Sequence, residues 1–361
     1  MLQTVEPNKT LLVDGPASVM LAAGRAEVFG CQVKQAQRIV VREGKRLPFY
    51  VAEKATFDLS LGPNAGLNEV SGTTIPSSWG APLESIQNTQ KKPVVILVFG
   101  KGDSGKSSYC TYLVNSLVDG KCRVAVLDGD LGQSDIGSSG TVGYALISKQ
   151  VPELYDLKLE NAFFVGVTSP MTAMAKTIEA AAAMRAEILQ RATDFVVINA
   201  DGWIEGDIAV HYKAALIKKL SPDVIVGVQA AGELDELIAN IDQKVLKVEA
   251  SSSLSPRTAE KRKALREMTY VRYLKDSKLQ SYPINQLTIE PHDALPKEQK
   301  PEQGLLVGFY GSGTKFLGIG VLREINHARR TLKVQTAVAA KPTRIVLGQV
   351  RLDEKLREIQ D

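Results

Sequence analysis

Gly100-Lys101-Gly102-Asp103-Ser104-Gly105-Lys106-Ser107-Ser108 has the residue types and the spacing to hold a polyphosphate. Glycines in a short turn let the chain curl until several amides point at one anion. The apolar run VVILVF precedes the turn, and a helix-forming stretch begins at Lys106. The turn therefore lies at a helix N-terminus, where aligned peptide dipoles add positive potential. Lys106 is long enough to reach the β and γ phosphates, and the Ser107 hydroxyl is a hard oxygen donor suited to Mg2+. The run fits the P-loop pattern without a mismatch and implies a nucleoside triphosphate such as ATP. It does not separate a kinase from a motor or a switch.

The next strand, CRVAVLDGDLGQ, narrows the choice. It ends in Asp128 and Asp130, which share one face of an ideal strand. A carboxylate there is suited to act near Mg2+. One of the two can work through the metal, which is assigned to Asp128. The other, Asp130, can accept the proton of an attacking hydroxyl, and Gln133 can orient that hydroxyl or a metal-bound water. The competing reading makes one aspartate a solvated turn residue.

Trp203 follows the strand FVVIN and is a candidate platform for a nucleic-acid base, since base–indole stacking tolerates any sequence. Ordinary packing at a strand end is its alternative. Arg257 to Lys275 carries seven basic residues against Glu260 and Glu267, a net +5. As a helix it sets Arg262 and Arg266 one turn apart, with Arg272 on a neighbouring face. It is either a solvated amphipathic helix or a mobile arginine lid. In the second case arginine would stabilise the charge on a phosphoryl group in flight.

These segments need elements to position them. The 361 residues suggest two or three domains, with 44% hydrophobic and 23% charged residues, ordinary for a soluble protein. A net charge of +4 does not by itself require nucleic acid. Three scattered cysteines make no disulfide framework, and His211, His292 and His327 are too dispersed for a zinc site. No apolar run approaches a membrane span and the start lacks a signal-peptide layout, so a cytoplasmic chain is expected, nuclear if eukaryotic.

Residues 1–88 read as short strands of a small β domain, and SGTTIPSSWGAPLESIQNTQKK as a linker. Residues 89–283 alternate strand and helix, which predicts a parallel sheet with helices on both faces. The lid lies within that segment at about 251–280, and residues 284–361 read as a second β-rich domain. The fold class expected is α/β, a P-loop NTPase sheet flanked by two small β domains.

Asp130-Leu131-Gly132-Gln133 after a P-loop resembles the polynucleotide 5′-hydroxyl kinases, the family of the messenger-RNA cleavage-factor and ribosomal-RNA-processing RNA kinases and their archaeal relatives. GTVG at 140–143, TSP at 168–170 and the GRAEVFG segment at 24–30 look like family segments. The resemblance implies that Asp130 approaches the acceptor hydroxyl. It implies that Asn199, Gly202 and Trp203 form a clasp on RNA, with Ala200 standing where the family has threonine. It implies that Arg257, Arg262, Arg266 and Arg272 contact the transferred phosphoryl and the acceptor strand, and that Gln229 lies near the nucleotide base.

The expected chemistry is Mg2+-dependent transfer of the γ-phosphate of ATP, or another triphosphate, to the 5′-hydroxyl of single-stranded RNA or DNA. Lys106, Asp130, Arg257 and Arg262 are its catalytic residues. The rivals are an ATPase or GTPase switch and an ATP-binding scaffold in an RNA-processing complex. No membrane partner is expected, and any protein partner is unidentified at this level.

Overall fold

The computed structural model describes residues 1–291, 303–326 and 328–359; His292 and His327 lie outside the described residues. The chain forms two compact units. The first comprises Met1–Val126, Leu146–Lys158 and Leu189–Lys261, and the second Leu127–Ala145, Leu159–Ile188 and Arg262–Asp361.

The first unit opens with two antiparallel sheets. One has four strands in the order Leu2–Val5, Ala55–Leu61, Ala17–Ala23, Arg38–Val41. The other has five, in the order Cys31–Gln32, Glu27–Val28, Arg46–Val51, Lys9–Asp14, Gly66–Ser71. Alternation of buried and half-buried residues along Ala17–Ala23 and Ala55–Leu61 gives the four-stranded sheet one apolar face. Phe49 of one sheet meets Phe57 of the other edge-on, with ring centroids 5.7 Å apart.

The segment that reads as a linker is structured. Its sparse apolar residues include Trp79, which is 1% exposed and leads into helix α1 (Gly80–Gln87). The indole donates to the Glu249 carbonyl at 2.7 Å and meets the ring of Tyr109 edge-on at 5.3 Å. Removing a ring buried this fully costs about 3–5 kcal/mol. A short polar stretch thus supplies a core residue that composition hides.

Parallel strands follow. Val94–Gly100 is buried at all seven positions and pairs on one side with Phe195–Asn199, on the other with Val224–Gln229. Val224–Gln229 also pairs with Val245–Glu249, again in parallel. Such strands must be apolar throughout because both faces are covered. Helix α2 (Lys106–Asp119) leaves the first of them through the glycine turn. Its buried Asn115 donates to the carbonyls of Phe29 and Val151, each at 2.9 Å, and accepts from the Val151 amide. A buried amide satisfied in this way ties α2 to the loops around it.

In the second unit Thr141–Ile147 pairs with Asn161–Phe164 in the antiparallel sense, so the AFFVGV strand expected in a βα repeat runs the other way. The connection between them holds a single helical turn, Leu154–Asp156, and no crossover helix. Helix α3 (Met174–Leu189) follows. The C-terminal sheet has six strands in the order Lys278–Pro283, Thr331–Thr336, Phe316–Asn326, Leu305–Tyr310, Arg344–Arg351, Thr288–Glu290. Phe164, Leu306, Tyr310, Phe316 and Val346 share its core with Tyr270 and Leu274. No helix among the described residues is long and apolar enough to cross a membrane.

Candidate functional site

The cradle is built in the first unit. Gly105 adopts φ 90°, a conformation that side chains rarely take, and its carbonyl accepts the Tyr109 amide at 2.9 Å, the first turn of α2. A side chain on Gly100 would lie 2.4 Å from the Val228 carbonyl, so that position admits only glycine. Lys106 is 6% exposed, and its ammonium donates to the Lys101 carbonyl at 2.9 Å across the mouth of the loop. Ser104 Oγ is buried with no hydrogen-bond partner, as is Gln229 Oε1 at the end of the neighbouring strand.

Asn199 is buried beneath the cradle. Its amide donates to Ser107 Oγ at 3.3 Å, and its carbonyl oxygen lies 3.9 Å from the Cys110 thiol. The side chain expected at a nucleic-acid strand here orients the serine hydroxyl of the phosphate loop.

Gly202 and Trp203 lie in the loop after Asn199. A Cβ on Gly202 would stand 2.7 Å from the Gly102 amide nitrogen and 3.3 Å from Lys106 Nζ. The loop therefore rides directly on the cradle, and only glycine allows that approach. Lys101 pairs with Glu205 of the same loop at 2.6 Å, an exposed contact. Trp203 is half-buried and stacks on Tyr212 of helix α4 (Asp207–Leu220), with centroids 5.5 Å apart and planes at 27°.

Arg257 also belongs to the first unit. Its guanidinium donates to Asp103 Oδ1 at 3.0 Å and to the Gly44 carbonyl at 3.1 Å, while its backbone amide donates to Asp103 Oδ2. Asp103, expected only as a cradle residue, thus anchors the start of the arginine segment.

The acids lie in the second unit. Val124–Asp128 ends at Asp128, so Asp130 is beyond the strand and the shared-face expectation does not apply. Asp130 Oδ1 instead accepts from the amides of Gly132 and Gln133 at 3.1 and 2.9 Å, closing a tight turn around its own carboxylate. Asp128 is fully buried. Its Oδ2 accepts from Ser134 Oγ and the amides of Asp135 and Ile136; its Oδ1 accepts from the Asp130 amide. Burial, followed by the charges of Asp135 and Asp130, pushes its carboxyl up to about 7 against the pull of those amides.

The basic cluster forms helix α6 (Ala259–Tyr273). From Arg262 onward it is stapled to the acid loop. Gln133 Nε2 donates to the Arg262 carbonyl at 3.1 Å, the Ser139 amide donates to Thr269 Oγ1 at 3.0 Å, and Tyr273 Oη donates to the Ile136 carbonyl at 2.5 Å. Arg266 is committed elsewhere. Its Nε and a terminal nitrogen grip Glu358 at 2.7 and 2.6 Å, and Tyr270 Oη donates to the same carboxylate. Arg272 lies 5.7 Å from the Tyr273 ring centroid. Arg257, ahead of the helix, is held by Asp103, while Arg262, Arg266 and Arg272 lie along α6 beside the acid loop.

Several functional residues carry no motif. Asp201, Lys213 and Tyr212 hold the Trp203 loop, and Glu358 holds α6. The lysine in the middle of α4 was the only available signal, since a helix face otherwise apolar at Ala209, Leu216 and Leu220 buries it.

A glycine cradle between a fully buried strand and a helix, with lysine and serine at its exit, defines a P-loop nucleoside triphosphate-binding protein. Residues 100–276 match the family model described as mRNA cleavage and polyadenylation factor CLP1 P-loop. Over that segment, just under half of the chain, and in the relatives it matches, the chain is similar to the polynucleotide 5′-hydroxyl kinases. It is 28% identical over 199 residues to a polyribonucleotide 5′-hydroxyl-kinase of Pyrococcus horikoshii, a match spanning 55% of each chain. It is 24% identical over 346 residues to that of Methanocaldococcus jannaschii, covering 80% of this chain and 94% of that one. Its fold matches Clp1p, solved in complex with a Pcf11p fragment, at a TM-score of 0.77 over 97% of both chains and 13% identity.

Proposed function

We propose that the protein transfers the γ-phosphate of ATP, or of another nucleoside triphosphate, to the 5′-hydroxyl end of an RNA or DNA strand. The observation that carries this reading is the Gly202–Trp203 loop seated on the phosphate cradle. Gly202 lies so close to Gly102 that a side chain there would clash, and the neighbouring indole is half-buried. A hydrolytic switch needs the cradle but has no use for a base platform against it. Relatives named as polyribonucleotide 5′-hydroxyl-kinases support the same reading.

The triphosphate lies along the loop 100–108. The orphaned Ser104 hydroxyl suits a phosphate oxygen, and the orphaned Gln229 amide oxygen suits an amino group of a base. Ser107 and Asp128 carry hard oxygen donors of the kind Mg2+ takes. Ser107 would hold the ion directly and Asp128, both of whose oxygens are already engaged, through water. When bound, the ion would supply positive charge against the phosphates.

Asp130 accepts the proton of the 5′-hydroxyl as that oxygen attacks the γ phosphorus in line, and Gln133 orients the hydroxyl. Lys106, Arg257 and Arg262 carry the charge of the phosphoryl group in flight. Arg272 meets the strand's phosphates, and Arg266 keeps α6 in place through Glu358. Positioning and electrostatics supply the rate, with no covalent intermediate. Clp1p was solved with a protein partner; an RNA-processing partner is proposed here also.

The test is transfer of γ-labelled phosphate from ATP to matched RNA and DNA oligomers carrying a 5′-hydroxyl, with 5′-phosphorylated copies as controls. Label on the hydroxyl oligomers alone is expected. ATP hydrolysis without labelled strand favours the switch.

A further inference from the structure

We propose that the buried pair Asp201–Lys213 is a positioning device that sets the indole of Trp203 for the terminal base of the acceptor strand. The proposal rests on the acceptor reading above and deepens it. Lys213 and Asp201 side chains are 1% and 4% exposed, and Lys213 Nζ stands 2.7 Å from Asp201 Oδ2. The same ammonium donates to the Asp201 carbonyl at 2.9 Å. Side chain and backbone of one residue are thus fixed by a single charge.

The carboxylate spends its remaining capacity on the platform. Oδ1 accepts the Trp203 amide at 3.0 Å, and Oδ2 accepts the Tyr212 hydroxyl at 2.8 Å. Trp203 stacks on that same Tyr212. One carboxylate therefore controls both the backbone that carries the indole and the ring beneath it. Gly202, between Asp201 and Trp203, lies so close to Gly102 that a side chain there would clash, which sets the platform beside the cradle. A buried ion pair returns little net stability once desolvation is counted, yet leaving one partner alone is costly. What this pair provides is a fixed geometry.

The double variant Asp201→Asn/Lys213→Met removes both charges while keeping side-chain volume. Two readouts decide. Acrylamide quenching of tryptophan emission reports Trp203, because Trp79 is 1% exposed and gives a constant background. Steady-state kinetics separate the KM for a 5′-hydroxyl oligonucleotide from the KM for ATP. Expected are stronger quenching and an oligonucleotide KM raised by about tenfold, within the worth of one stacked base, with the ATP KM unchanged. Unchanged quenching and an unchanged oligonucleotide KM, or an equal rise in both KM values, would overturn the proposal. If the double variant does not fold, Tyr212→Phe removes only the hydroxyl bond and is read the same way, with a smaller shift in the same direction expected. If the wild-type protein transfers no phosphate, the kinase reading fails while quenching still judges the pair.

Discussion

The side-chain amide of Gln133 donates to the backbone carbonyl of Arg262 at 3.1 Å. A residue of the acid loop thereby holds the first arginine of α6 in the second unit. Thr269 and Tyr273 extend the attachment to Ser139 and Ile136. The proposed base Asp130 lies three residues before Gln133, so the base and Arg262 share one support.

Gln133→Ala should therefore lower kcat by about tenfold, the worth of one lost positioning hydrogen bond to the backbone. Steady-state kinetics should show the KM for ATP unchanged, because the Gln133 side-chain amide serves the acid loop and the Arg262 carbonyl. A raised ATP KM with intact kcat would detach Gln133 from the acceptor side.

Glu358 takes both donors of Arg266 at 2.6–2.7 Å, with the two side chains 19% and 12% exposed. Glu358→Gln leaves Arg266 half-buried without its counter-charge. Stability should fall by about 1–3 kcal/mol, less than for a fully buried pair because solvent reaches both groups. Urea denaturation measures it. No change in the midpoint would show that the tail does not hold α6.

Trp203→Ala should raise the KM for oligonucleotide by about 5- to 100-fold, the range set by one base–aromatic stack. The ATP KM should stay within about twofold, since the cradle makes its own contacts. Equal effects on both substrates would reduce Trp203 to packing on Tyr212.

Asp128 predicts a pH signature. Its carboxyl is pushed up from 3.8 to about 7 by burial and by Asp135 and Asp130. The folded form thus binds a proton that the unfolded form has released, and the stability this group confers falls as pH rises from about 4 to 7. Above that window the loss is complete. Thermal midpoints of the wild type minus those of Asp128→Asn, measured in EDTA, should fall across this range and then level. A difference that rises with pH would mean that the surrounding amides outweigh burial.

The cradle was legible in the sequence because its backbone geometry demands glycines at fixed places, and Gly100 and Gly105 occupy positions where side chains clash or strain. Parallel strands were legible because covering both faces forces unbroken apolar runs such as VVILVFG. Trp79 was not, because a single buried ring in a polar stretch leaves no period to detect. The placement of Asp130 was misjudged by extending the strand past Asp128, where turn chemistry takes over. Lys213 and Glu358 find their partners across 12 and 92 residues, and no local spacing encodes such pairs. The supports of the arginine segment are equally non-local: Asp103 holds Arg257 and Gln133 holds the Arg262 carbonyl.

The most direct measurement follows the label from γ-labelled ATP in the presence of a 5′-hydroxyl RNA, with wild-type protein and with Lys106→Ala. The label should accumulate at the 5′ end of the strand in step with ATP consumed, and Lys106→Ala should reduce it by at least about 10²-fold, as removal of one preorganised charge-stabilising donor does. Label released as free phosphate at the same rate with or without the strand, or a Lys106→Ala protein that labels at full rate, would contradict the account.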